Sequence, residues 1–345
     1  MSTSIADLGE LALIDRLRQR VGPAPSHVEI GIGDDAAAIA GEPGAVSVVT
    51  TDALVEGVHF RRDWTAARAI GHKALAVNLS DLAAMGAAPR ASLLSLALPE
   101  AFPLDDFDAL IDGYVALAAA SGAALVGGNL TGSPGPVVVN VTAIGAVRRR
   151  RLLRRDTARP GHELYVTGVI GAAAAGLALL GLGVHRDAMD AAARTAVARY
   201  EQPDARWRLG WMVGRTGTAS AAMDLSDGLA ATARAMASAS GVGVVLDADA
   251  IPVAEAARAW AASAGRDPLA FALTGGEDYE LAFAVSPRMR RQFLATTRRA
   301  RDLQVTRIGR FVPDPGAWLS QDDALTPLPG GFQHWGTEPF STKQA

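Results

Sequence analysis

Gly31-Ile32-Gly33-Asp34-Asp35 and Thr50-Thr51-Asp52 set three aspartates among Gly, Ala, Val and Ile, with no Lys or Arg from residue 21 to 60. Anions crowded beside apolar runs repel one another and lose hydration, so the fold must bring them a counter-charge. No basic side chain is near in sequence, which makes a metal ion the natural candidate. The pattern returns at Asp81 and at the pair Asp224 and Asp227, again in small apolar surroundings. Acids this far apart in sequence can share one ion only if the chain folds them into a common cleft.

The chain is long enough for this: 345 residues accommodate two domains of ordinary size, each with its own core. With 49% hydrophobic and 20% charged residues the composition is globular. A net charge of −3 gives no bulk attraction to nucleic acid. The absence of cysteine removes disulfides, thiolate zinc sites and a Cys nucleophile, and is compatible with a reducing cytoplasm. The first ten residues lack a basic region ahead of an apolar run, so no signal peptide is expected. Leu164 to Val184 is uncharged over 21 residues, but its five glycines read as a buried strand, a turn and a core helix rather than a membrane span.

In order, residues 5–20 predict an amphipathic helix ending in arginines and stopped by Gly22-Pro23. Ala45 to Thr50 predicts a buried strand that ends on Thr51-Asp52, where sheet proteins place functional groups. His59, beside Phe60, has a structural reading that outweighs a ligand role. Ala66 to Ala87 predicts a helix whose apolar face, Ile70, Ala74 and Val77, also carries Asp81. A functional carboxylate on the stripe and a plain helix end near solvent explain Asp81 equally well. Asp105, Asp106 and Asp108 read as N-terminal charge on the helix from Leu104 to Ala120. Gly127 to Gly135 predicts a glycine-rich loop whose N–H groups could face an anion, and Pro136 to Val147 predicts a strand.

Seven arginines between Arg148 and Arg159 mark the domain boundary, giving domains 1–147 and 148–345. Such a run is usually a solvated connector, although one or two guanidiniums could sit over phosphates. Beyond it, strands at 163–167, 219–223, 242–246, 281–285 and 304–311 alternate with helices, so both halves are α/β. Leu225-Ser226-Asp227 echoes Leu79-Ser80-Asp81. The all-oxygen candidates Asp35, Asp52, Asp81, Asp224 and Asp227 favour Mg²⁺ or Mn²⁺ over Zn²⁺. Mg²⁺ is commonly shared between carboxylates and substrate phosphates, so a nucleoside triphosphate is the simplest partner. No P-loop or protein-kinase motif set is present.

Five blocks taken together resemble the signature of the thiamine-monophosphate kinase family. They are Gly31–Asp35, Thr51–Phe60, Asn78–Gly86, Asp224–Leu229 and Gly275-Gly276-Glu277-Asp278-Tyr279-Glu280-Leu281, in the family's order along nearly the whole chain. The resemblance implies the two-domain aminoimidazole ribonucleotide synthetase-like fold, of α/β (α+β) class. Its N-terminal mixed sheet has helices on one side and dimerises, and a C-terminal α/β domain completes the site. It implies transfer of the ATP γ-phosphate to thiamine monophosphate by a cytoplasmic homodimer using several Mg²⁺ ions, with neither nucleic acid nor membrane as partner. Position by position, Asp35, Thr50, Thr51, Asp52, Asp81, Asp224 and Asp227 match metal positions, Asp52, Asp81 and Asp224 being the catalytic core. Gly128, Asn129, Arg155 and Ser226 match nucleotide positions, and His59, Glu277 and Phe332 match positions holding thiamine phosphate.

One departure stands out. The family's Gly-Gly-Asp is Gly127-Gly128-Asn129 here, which keeps an oxygen but drops a charge, so one Mg²⁺ should bind more weakly or be lost. Two rivals remain: another Mg-ATP enzyme of the superfamily, disfavoured where a Cys nucleophile is required, and a non-catalytic nucleotide-binding relative.

Overall fold

A computed structural model describes residues 3–300, 303–322 and 324–330. The chain divides into two compact units: Met1–Leu82 with Ala87–Arg150, and Ala83–Gly86 with the chain from Arg151 onward.

The first unit contains helices α1 (Ile5–Leu8), α2 (Glu10–Val21), α3 (Ala67–Ala84) and α4 (Leu104–Ser121). Its strands are β1 (Val28–Ile30), β2 (Ala38–Ile39), β3 (Ala45–Val55), β4 (Ala88–Leu98), β5 (Ala124–Gly132) and β6 (Val138–Arg148). The single helix expected over 5–20 is broken at Gly9, whose left-handed φ of 78° ends one helix and starts the next. Strands β3-β6-β4-β5 form a mixed sheet, antiparallel except between β4 and β5. Along β6 the burial alternates strictly: Val139, Val141, Ala143, Gly145 and Val147 are buried, whereas Val138, Asn140, Thr142, Ile144 and Ala146 are only half-buried. Period-two alternation of this kind marks one covered and one open face. Leu82 of α3 packs against Gly145, so the helices lie on the covered side.

Two glycines set how closely the helices approach. A Cβ on Gly71 of α3 would stand 1.9 Å from the Leu110 carbonyl oxygen, and one on Gly113 of α4 1.9 Å from that of Arg68. Close backbone contact thus joins α3 to α4, and from Ala69 onward α3 is buried apart from half-buried His72 and Asp81. The apolar stripe read for this helix does not separate a core face from a solvated one. Asp108 is likewise more than helix-terminal charge. It binds Arg16 bidentately and Arg20 at 2.8 Å, and so ties α4 to α2.

The second unit contains α5 (Ala172–Gly181), α6 (Ala191–Glu201), α7 (Trp207–Thr216), α8 (Leu229–Ser240), α9 (Glu255–Ser263), α10 (Pro268–Thr274) and α11 (Arg290–Thr297). Its strands are β7 (Glu163–Thr167), β8 (Ala221–Asp224), β9 (Gly243–Asp247), β10 (Leu281–Val285), β11 (Val305–Val312), β12 (Gly316–Gln321) and β13 (Ala324–Pro327). They form one mixed sheet in the order β13-β12-β9-β11-β7-β10-β8. Central β7 and β10 are buried at every position, as strands covered on both faces must be. The uncharged stretch from Leu164 resolves into β7, a turn with left-handed Gly168 and Gly171, and α5. Among the described residues no helix is long and apolar enough to cross a membrane. The short helix α10 and the strands β12 and β13 are additions to the sequence reading.

Candidate active site

Strand β3 runs on to Val55, five residues past the expected end, so Thr51 and Asp52 lie within the strand. Their side chains therefore point to opposite faces. Thr50 and Asp52 share the helix-covered side, and there the Thr50 hydroxyl donates a short hydrogen bond to the Asp81 carboxylate in the last turn of α3. Thr51 faces the open side, where its hydroxyl donates to the Val141 carbonyl at 3.0 Å and accepts from Thr142 at 3.2 Å. The structure thus separates Thr51's side chain from the other expected ligands.

The Asp52 carboxyl is pushed up to about 6, first by lost hydration and then by the negative charge of Asp81. The residue as a whole remains exposed, so the shift reflects crowding at the carboxyl, and its energetic weight is reduced by solvent screening. Two repelling carboxylates and a threonine hydroxyl in one corner make a hard-oxygen set that suits Mg²⁺, which a cation would relieve of its repulsion. Among the described residues no three His, Asp or Glu side chains form a closed metal cage. Asp35 is exposed in the loop between β1 and β2, where its N–H donates to Asp34 at 2.8 Å.

The expected glycine loop is instead strand: β5 continues through Gly127, Gly128 and Asn129. Gly128 has φ 157°, and a Cβ there would stand 1.8 Å from the Leu94 carbonyl oxygen, so the close approach of β4 demands glycine. Register runs Asp52↔Val141, Val141↔Leu94, Leu94↔Gly128. Gly128 therefore stands three strand spacings from Asp52, roughly 14 Å along the sheet. Only an extended ligand could touch both.

His59 occupies the turn after β3. The Val55 N–H donates to its Nδ1 at 3.1 Å, and the Lys73 ammonium donates to its carbonyl at 3.2 Å. Lys73 is fully buried in α3, where an ammonium is costly unless well paired. A lone Lys inside an apolar helix run is its signal in the sequence.

In the second unit Asp224 ends β8 and is buried, its carbonyl accepting from the Thr232 hydroxyl at 2.9 Å. Ser226 and exposed Asp227 follow, and left-handed Gly228 (φ 95°) starts α8. This loop is zipped to the one before β10: Glu277 N–H donates to the Ser226 carbonyl at 2.7 Å, Tyr279 N–H to Leu225 at 3.0 Å, and Leu225 N–H to Glu280 at 2.9 Å. Gly276 fits because a Cβ there would come within 2.6 Å of the Ser226 carbonyl oxygen. Glu277 and Tyr279 have left-handed φ of 66° and 49°. For non-glycine residues that costs about 1–2 kcal/mol each, so surrounding contacts must hold them.

Those contacts are buried and ionic. Asp278 accepts from Gly171 N–H at 2.6 Å and Ala173 N–H at 3.1 Å at the start of α5, and burial pushes it up to about 7 against those bonds. Arg206 grips Glu280 with two nitrogens, Nε at 2.7 Å, and Thr167 also donates to Glu280. The acids beside Gly275-Gly276 are visible in the sequence, but the partners of Asp278 and Glu280 come from distant segments. Arg151, Arg154 and Arg155 are all exposed, Arg151 donating to the Thr216 carbonyl and Arg154 to the Asp156 carboxylate. Phe332 lies outside the described residues.

Comparison with known proteins matches residues 33–147 to the family AIR synthase related protein, N-terminal domain, and residues 159–319 to its C-terminal domain. The chain is 33% identical to the thiamine-monophosphate kinase of Rhodopirellula baltica, over 95% of this chain and 98% of that one. The crystal structure of thiamine-monophosphate kinase from Stenotrophomonas maltophilia superposes with TM-score 0.81 at 41% identity, over 92% of this chain and 98% of that one. AaThiL complexed with AMPPCP and TMP superposes with TM-score 0.75 at 30% identity, covering 97% and 100%.

Proposed function

The chain belongs to the thiamine-monophosphate kinase family, and on that premise we propose how its residues share the work. It is an ATP-dependent kinase that transfers the γ-phosphate of ATP to thiamine monophosphate, giving thiamine diphosphate and ADP. Donor and acceptor are both anionic, so catalysis is mostly charge neutralisation and alignment for in-line transfer. The acceptor phosphate is already ionised near neutral pH, and no phosphoenzyme or strong base is needed.

The observation that carries the reading is the corner formed by Thr50, Asp52 and Asp81. Asp52 and Asp81 in the first unit, and Asp224 and Asp227 in the second, are the carboxylates we assign to Mg²⁺, which when bound neutralises phosphate charge as a Lewis acid. Thr50 fixes the Asp81 carboxylate by its hydrogen bond, and Asp35 adds a further carboxylate. Thr51 can contribute only through its backbone, given its side-chain direction. Gly128, Asn129, Arg155 and Ser226 take the nucleotide, and Asn129 in place of the family aspartate lowers the number or affinity of the ions. His59 and Glu277 take the acceptor, with Phe332 as the stacking residue.

We place the enzyme in the cytoplasm as a homodimer. The dimer rests on the open face of the first unit's sheet and its edge strand β3, where Val49 is 62% exposed. The deciding experiment is Mg²⁺-dependent ADP release with thiamine monophosphate, free thiamine and other phosphorylated acceptors. Release dependent on thiamine monophosphate alone is expected. Equal release with an unrelated phosphorylated acceptor would favour another enzyme of the superfamily, and tight ATP binding without release a non-catalytic relative.

A further inference from the structure

Glu277 stands in a backbone conformation that the chain would not adopt unaided, and the buried acids Asp278 and Glu280 explain how it is kept there. Asp278 turns inward and binds the first N–H groups of α5, one on each carboxylate oxygen. Glu280 is 3% exposed and meets the Arg206 guanidinium, which is 9% exposed, in a two-nitrogen grip. The Thr167 hydroxyl donates to Glu280 and accepts the Leu281 N–H at 2.8 Å, locking the start of β10 to the end of β7. Asp204 adds a second carboxylate to Arg206, and Tyr200, buried in α6, lies within electrostatic range of Glu277.

Strand β10, which follows this loop, is apolar throughout, so Asp278, Glu280 and Arg206 are not part of the sheet's own packing. An arginine–carboxylate pair in an apolar interior adds little stability over packed hydrophobic residues, because desolvation offsets the attraction. What it gives is direction: the planar fork fixes both oxygens of Glu280, and Asp278 fixes the peptide between two left-handed residues. Gly168 is part of the same arrangement, since a Cβ on it would fall 2.1 Å from a Glu280 carboxylate oxygen.

We propose that Asp278 and the Arg206–Glu280 pair form a buried clamp that positions Glu277 for the phosphorylated acceptor. The proposal rests on the reading above that Glu277 contacts that acceptor. Asp278, Glu280 and Arg206 are positioning residues: they touch neither substrate, and they act through the loop that carries Glu277. Because Asp278 is anchored to α5 rather than to the loop bearing Ser226, loosening it displaces Glu277 more than the nucleotide contact.

The test is steady-state ADP release by the full-length enzyme carrying Asp278→Ala, and separately Arg206→Lys, which keeps the charge but loses the fork. Melting is followed in parallel. For Asp278→Ala the KM for thiamine monophosphate should rise about tenfold or more, while the KM for ATP stays within about threefold. Arg206→Lys should give the same split at about threefold or more, and it carries the test alone if Asp278→Ala does not fold. A lowered melting temperature with both KM values unchanged, or a parallel rise in both, would overturn the clamp and leave a purely structural network. Failure of the underlying reading is distinct: Glu277→Gln would then leave the KM for thiamine monophosphate within about threefold of wild type.

Discussion

Asp52→Asn should make the metal-free protein more stable and the enzyme nearly inactive. In the folded chain the Asp52 carboxyl moves from 3.8 to about 6 under lost hydration and the Asp81 charge. Taken at face value that displacement is a ceiling of about 3 kcal/mol against the ionised form. Asp52 is exposed, so screening reduces the expected gain on removing its charge to about 1 kcal/mol, or roughly 2–4 °C in melting temperature.

The pH dependence gives the sign a separate check. Below the unfolded value of 3.8 Asp52 is protonated in folded and unfolded chains alike, and the substitution gains nothing. Between 3.8 and about 6 the unfolded chain ionises Asp52 while the fold holds its proton beside Asp81, so the wild type loses stability as pH rises, which the variant does not. The difference therefore opens between pH 4 and 6 and is constant above. Melting curves in EDTA across pH 4 to 8 measure it, and ADP release measures turnover, expected to fall by about a thousandfold if Asp52 holds a catalytic ion. With saturating Mg²⁺ and ATP the order of the two melting temperatures should reverse, because ligand stabilises only a fold that binds it. Equal melting at pH 7.5 without metal would refute the crowding, and turnover within tenfold of wild type would remove Asp52 from the metal set.

Thr50→Val should lower turnover by about tenfold or more by releasing the Asp81 carboxylate, whereas Thr51→Val, on the opposite face, should stay within about threefold; kcat of the two variants compares them directly. Gly71→Ala gains about 1 kcal/mol of helix propensity. It meets the Leu110 carbonyl at 1.9 Å, however, so overpacking should win by about 2 kcal/mol and melting should fall by several degrees. Val49→Lys, on the exposed edge strand, should convert the proposed dimer to monomer in sedimentation velocity without unfolding it.

How much was legible in the sequence differs between the two kinds of information. The alternation of apolar runs with helical periods gave both α/β halves, since each element's partner face is written in its own residues. Asp52 and Asp81 stood out because carboxylates among Ala, Val and Leu demand an explanation wherever they fold, whereas Thr50 came only with the family resemblance. Strand ends were harder. Thr51 and Asp52 look like a terminus, yet eleven paired residues of β6 carry the strand past them, and pairing is a property of the neighbour. Gly127 and Gly128 look like a loop for the same reason, and only the approach of the Leu94 carbonyl explains a glycine inside β5.

What the sequence determined by itself is the chemistry available: hard-oxygen ligands, no thiol, and a set of blocks in the family's order. Tertiary structure alone decided which of those groups act on one face. A period of two sends Thr50 and Thr51 to opposite sides, and contacts more than seventy residues apart bring Arg206 to Glu280 and Gly171 to Asp278. Such pairings arise from chain topology, because a hydrogen bond depends on where two atoms meet and no residue's local context records its distant partner.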